Sequence, residues 1–128
     1  LVMPDTSEFN PRIRKWLILK LLKRGADPCL KNDDLASCID IALANGNKES
    51  LELLLQYANK ENIDISNDYF NLAINDMNNY DLIEMVLPYV KDINIRNFKN
   101  KTALWYAKNM TNPNYDLIEL LEENGAVL

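Results

Sequence analysis

The chain has 128 residues and a mass of 14.8 kDa, with 48% hydrophobic and 26% charged residues. That length fits one domain with its own core, and the composition excludes an intrinsically disordered chain. A net charge of -5 and a pI near 4.7 oppose a nucleic-acid-binding domain, and the absence of histidine removes imidazole catalysis and His metal ligands.

In chain order, Leu1-Val2-Met3-Pro4-Asp5 lacks the basic and apolar segments of a signal peptide. A start at Leu reads as a piece of a longer protein, with flanking repeats or domains in the parent. Residues 1–9 are too short and polar to form a convincing helix. Asn10-Pro11 is a helix start, Asn as N-cap and Pro in the first turn, and predicts a helix over about Pro11–Arg24. Arg12, Arg14, Lys15, Lys20, Lys23 and Arg24 make residues 1–24 net +4 and leave -9 for the rest. This basic helix reads as a solvated outer face, with an anionic docking surface or a junction to a neighbouring segment as the sharper alternative. An exposed Trp16 on it would mark an uncovered stacking surface. The longest apolar run, Trp16–Leu22, is broken by Lys20 and is far short of the roughly 20 residues that span a bilayer, so no membrane insertion is expected. Cys29 and Cys38 cannot complete a zinc site alone and form no disulfide framework; reduced thiols in a cytoplasmic setting are expected.

From residue 37 onward the chain repeats itself. Ser37–Ala42 with Glu49–Leu55, Asp68–Ala73 with Asp81–Leu87, and Thr102–Ala107 with Asp116–Leu121 align. Ala42, Ala73 and Ala107 are separated by 31 and 34 residues, and Glu52, Glu84 and Glu119 by 32 and 35. A period near 33 marks a stacked repeat array. Each unit reads as two short helices. The first carries a small Ala for close approach, and the second has apolar residues at helical spacing, such as Leu51, Leu54 and Leu55, with Glu52 outward. Ala26–Leu30, Ile63–Ile65 and Ile93–Ile95 read as short strand or turn arms between units. The 18 asparagines are read as the compositional mark of an AT-rich genome.

Asn97-Phe98-Lys99-Asn100-Lys101-Thr102-Ala103-Leu104-Trp105-Tyr106-Ala107 resembles the D-x-x-G-x-T-P-L-H-x-A motif of the ankyrin repeat family, with Asn100 at the turn Gly position. Leu21–Pro28 and Asn124–Val127 are similar to the L-L-x-x-G-A-D ending, and Asn45-Gly46-Asn47 to the loop between the two helices. The resemblance covers roughly residues 14–128. It implies an all-α solenoid of stacked helix-turn-helix units with short β-turn arms, in one ankyrin repeat domain. Its units are a partial repeat over 1–30, repeats over 31–65 and 66–95, the latter with a truncated finger, and a C-terminal repeat over 96–128. The chain departs from the family pattern where Asp40, Asn71 and Trp105 replace its His, so the usual hydrogen bonds between repeats must be remade or lost there.

The resemblance further implies a module that binds a partner protein or peptide and is not an enzyme. The expected contacts lie on finger tips and first helices, which form a concave surface. By position these are Asp33, Asp34 and Asn45, then Tyr69, Asn75 and Asp76, then Phe98, Lys99, Lys101, Asn109 and Met110. Phe98 in a polar turn is an anchor for a partner, or else folds back on the neighbouring finger. Asp33-Asp34 is an acidic tip, or else plain turn chemistry. Of Trp105 and Tyr106, one is expected in the core and one in the groove. Gly25, Gly46 and Gly125 occupy repeat-end or loop positions, and the sequence contains no phosphate-binding loop, dinucleotide fingerprint or nucleophile elbow, so neither cofactor nor metal is expected. A microbial or viral effector acting in a host cytoplasm fits the divergent array. The alternatives are a recognition or scaffolding domain of a larger enzyme, and an array that pairs with itself through its uncovered end.

Overall fold

The computed structural model of the chain describes residues 10–77 and 79–128, the side chain of Met77 excepted. Their regular structure is entirely helical. Seven helices follow one another: α1 (Pro11–Lys23), α2 (Cys38–Ala44), α3 (Lys48–Tyr57), α4 (Asn67–Met77), α5 (Tyr80–Val86), α6 (Ala103–Lys108) and α7 (Tyr115–Glu123). Single 3-10 turns lie at Lys60–Asn62 and Leu87–Tyr89. The arms between helix pairs are turns; the described residues contain no strand. The expectation that residues 1–9 form no helix lies outside the described residues.

The chain divides into two compact units, one ending at Asp64 and one spanning Ile65–Leu128. In the first, α1 and α2 both pack on α3, burying Ile18 and Leu22 against Ile39, Leu43, Leu51 and Leu54. In the second, α4 packs on α6 and α5 on α7, while α4–α5 and α6–α7 pair within themselves. Its core holds Phe70, Ile74, Leu82, Ile83, Val86, Leu104, Leu117 and Leu121. Helices of six to thirteen residues are too short to persist alone in water. Burial of about 1.5–3 kcal/mol per large apolar side chain supplies what propensity does not.

The asparagines have a mechanism that composition alone hid. Asn10, Asn47, Asn79 and Asn114 are the N-caps of α1, α3, α5 and α7. Each side-chain oxygen accepts an N–H of the first turn, from Ile13 (3.0 Å), Ser50 (3.1 Å), Asp81 and Leu82 (3.0 and 3.3 Å) and Leu117 (3.2 Å). Ser37 and Thr102 cap α2 and α6 in the same way.

The helix ends repeat as well. Past α1, Gly25 N–H donates to Leu22 O and Ala26 N–H to Leu21 O; past α7, Gly125 N–H donates to Glu122 O and Ala126 N–H to Leu121 O. These are Schellman ends set 100 residues apart, and the same pair of bonds closes α2, where Gly46 N–H donates to Leu43 O and Asn47 N–H to Ala42 O. Gly25 and Gly125 lie at φ 92° and 89°, the left-handed region that a Cβ disfavours.

Candidate functional site

Two loops ahead of first helices have the same internal wiring. In one, Asn32 Oδ1 accepts the N–H groups of Asp34 (2.9 Å) and Ala36 (3.1 Å). Asn32 N–H donates to Ala36 O, and Leu35 N–H to Asn32 O. In the other, Asn97 Oδ1 accepts from Lys99 and Lys101, both at 3.0 Å, while Asn97 N–H donates to Lys101 O and Asn100 N–H to Asn97 O. The two turns are superposed by an offset of 65 residues. Leu35 and Asn100, the fourth residue of each, both sit at φ 61°. Asn tolerates this conformation and Leu does not, and Leu35 is 71% exposed. In the second unit the chain runs from Ile65 and Ser66 straight into α4, with no comparable turn before it.

The sequence-predicted site residues fall into three kinds. At the tips, Phe98 is 92% exposed, with Lys99 Nζ 5.7 Å from its ring centre. It does not fold back onto protein. Asp33 and Asp34 are exposed, and the turn is made by the Asn32 side chain and not by their carboxylates. On the helices, Tyr69 is half-buried, Asn75 and Asp76 are exposed, and Asn75 Nδ2 donates to Asp76 Oδ1 (3.2 Å). Asn45 and Asn109 are spent locally: Asn45 is the C-cap of α2, and Asn109, the C-cap of α6, donates its side-chain N–H to Trp105 O (2.8 Å). Met110 is half-buried just past α6. Since α4 packs on α6, Asn75-Asp76 and Asn109-Met110 hold corresponding positions at the ends of adjacent helices.

Trp105 and Tyr106 do not divide into one core and one groove residue. Both are half-exposed, in an edge-on contact with ring centres 5.3 Å apart. Lys101 Nζ lies 4.3 Å from the Trp105 ring centre, a cation–π contact, and Asn97 Nδ2 donates to Tyr106 Oη (2.6 Å). The turn and the helix behind it are thus one bonded surface. Sequence reasoning passed over Leu35, although aligning Asn32–Ser37 on Asn97–Thr102 reveals its strained position.

At the other two positions aligned with the family His, Asp40 and Asn71 differ. Asp40 is fully buried, and its Oδ2 accepts from Ser37 N–H (3.0 Å) and Ser37 Oγ–H (3.3 Å), closing a capping box, with Lys31 Nζ at 3.9 Å. Lys31 also reaches Asp64, 3.6 Å from its carboxylate and 3.3 Å from its carbonyl. Asn71 is 5% exposed, and neither its Oδ1 nor its Nδ2 has a hydrogen-bond partner.

Away from the tips, two surface grooves occur on second helices. One is lined by Trp16, Leu19, Lys20, Lys23 and Arg24 of α1, where Trp16 is 60% exposed under Lys20 Nζ (5.4 Å). The other is lined by Asp116, Glu119, Leu120 and Glu123 of α7 with Tyr80 of α5. The Tyr80 phenol is pushed above its usual range by desolvation, then by the Glu84 carboxylate it hydrogen-bonds, and by Glu123 and Asp116. Cys29 and Cys38 are not joined in a disulfide, and both are half-buried. The Cys29 thiol is pushed up by burial and then by Asp27, whose Oδ1 also accepts the Cys29 N–H (2.9 Å). Among the described residues no cluster of three acidic or thiol side chains is placed to hold a metal ion, and no helix is long and apolar enough to cross a membrane. No protein-family model matches this chain.

Proposed function

We propose that this chain is a non-catalytic protein-interaction module of the ankyrin repeat kind, holding a partner protein by its turn tips and first helices. The observation that carries the reading is Phe98. A large aromatic at 92% exposure, on a turn fixed by four internal hydrogen bonds, is a preorganised anchor: little ordering entropy is lost when it is buried by a partner. The twin turn, the twin helix ends and the pairing of α4 with α6 and α5 with α7 support a repeat array. Two cysteines outside any disulfide fit a reducing, cytoplasmic setting.

The test is affinity capture from a eukaryotic cell lysate with the parent chain and with a variant carrying Phe98→Ala and Lys99→Glu. Both positions are solvent-exposed, so the variant keeps its circular dichroism. A partner held by the parent should weaken by about 30-fold or more, the usual loss at an aromatic hot spot. A partner retained equally by both would refute the tip-centred reading.

A further inference from the structure

The groove on α1 and the groove on α7 are the same face of corresponding helices. The Schellman ends of α1 and α7, each a Gly followed by Ala, align Gly25 with Gly125 and Ala26 with Ala126, hydrogen bond for hydrogen bond. Under that offset of 100, Trp16, Leu19, Lys20 and Lys23 fall on Asp116, Glu119, Leu120 and Glu123, the α7 residues lining the second groove. In α7 this face adjoins a neighbouring second helix, through Tyr80 of α5. In α1 no element of the described residues adjoins it there, and Trp16 stands exposed upon it.

The two faces carry opposite charge. Residues 11–24 hold six basic side chains and no acidic one. Lys15, Lys23 and Arg24 make no ion pair among the described residues, and Lys20 is engaged only with the Trp16 ring. Across the α5–α7 groove, Glu84, Asp116, Glu119 and Glu123 likewise make no ion pair among the described residues, and Glu84, Glu123 and Asp116 already act on Tyr80. Each face has an apolar centre, Trp16 with Leu19 on one and Leu120 with the Tyr80 ring on the other.

We propose that the α1 face of one copy docks on the α5–α7 groove of a second copy, Trp16 and Leu19 seated on Tyr80 and Leu120 with Lys20, Lys23 and Arg24 opposite Asp116, Glu119 and Glu123. Two α1 faces cannot pair with each other, because like charges meet. The contact is heterologous, head to tail, and the pair retains one free face of each kind for further growth. This inference does not depend on the turn tips.

Sedimentation velocity on the full chain, from about 10 µM to about 500 µM, reads it directly, since contacts of this size sit in the weak range. Three proteins are compared: the parent, a Lys20→Glu/Lys23→Glu variant and a Glu119→Lys/Glu123→Lys variant, each checked for unchanged helicity. The parent should associate with rising concentration and lose roughly tenfold in affinity when salt screens the pairs. Each variant alone should sediment as a monomer, and their equimolar mixture should associate again, because the reversed faces match each other. A monomeric parent at every concentration overturns the proposal, as does self-association of either variant at parental strength or a mixture that stays monomeric. A monomeric parent that binds phosphatidylserine vesicles through Trp16 would assign the basic face to an anionic lipid surface instead.

Discussion

Replacing Asn71 by Ala should make the protein more stable, although it deletes side-chain atoms from a buried site. Asn71 is 5% exposed in α4, and both polar atoms of its amide lack a partner. A buried polar group without a hydrogen bond costs about 1–3 kcal/mol. Alanine also gains about half a kcal/mol of helix propensity over Asn at an interior position. Against this stands a void of three heavy atoms, Cγ, Oδ1 and Nδ2, costing about 1–1.5 kcal/mol at the usual cavity penalty. The balance is a gain of about 0.5–2 kcal/mol, or roughly 2–7 °C in Tm for a domain of this size. The control is the preceding residue. Phe70 is fully buried, and Phe70→Ala should lose about 3–5 kcal/mol by the same ledger. Urea unfolding followed by circular dichroism measures both, with the slope unchanged for Asn71→Ala. A loss of 1 kcal/mol or more in Asn71→Ala would refute the reasoning, because it would mean that the amide is hydrogen-bonded in the folded protein.

Leu35→Asn should stabilise by about 0.5–1 kcal/mol in thermal unfolding, since an exposed Leu at φ 61° is exchanged for the residue that holds this position in the other turn; an unchanged Tm counts against strain there. Gly125→Ala should cost about 1–2 kcal/mol by conformation alone, because a Cβ at that position meets nothing within 4 Å. Asn97→Ala should release the Lys99 and Lys101 amides to faster hydrogen exchange while the α4 amides stay protected. With Cys38 replaced by Ala, Cys29 should alkylate more slowly than a free thiol at neutral pH. The burial and the Asp27 charge that push its thiol up lower the reactive thiolate fraction, so the rate must continue to climb above pH 9.

Periodicity made the helices legible. Each second helix announces itself by apolar spacing: Leu51, Leu54 and Leu55 are buried and Glu52 exposed. Asn10-Pro11 marked the start of α1 to the residue, and Arg24, read as its last residue, proved to be its C-cap. The truncated loop before α4 was equally plain, because Ser66-Asn67-Asp68 leaves no room for a turn. Caps and turns were less legible, because one residue type serves both. Asn47 begins a helix, Asn45 and Asn109 end one, and Asn32 and Asn97 each hold a loop together. Only the backbone around them decides which. The charge alignment of the two grooves was hidden for another reason. It pairs residues 100 positions apart, about three periods of 33, and no motif shared by neighbouring units carries it.

The choice of Asn over Asp for capping has a consequence for acid tolerance. An Asp cap loses its negative charge as pH falls through about 3.9, and a capped helix then loses its strongest acceptor. The amide of Asn does not titrate. The starts of α1, α3, α5 and α7, and both finger turns, rest on Asn10, Asn47, Asn79, Asn114, Asn32 and Asn97. These local hydrogen bonds are therefore the same at pH 4 as at pH 7. At α2 and α6 the acceptors are the Ser37 and Thr102 hydroxyls, which are neutral as well. Acid that neutralises carboxylates elsewhere on the surface therefore leaves the acceptors at these four helix starts and two turns in place.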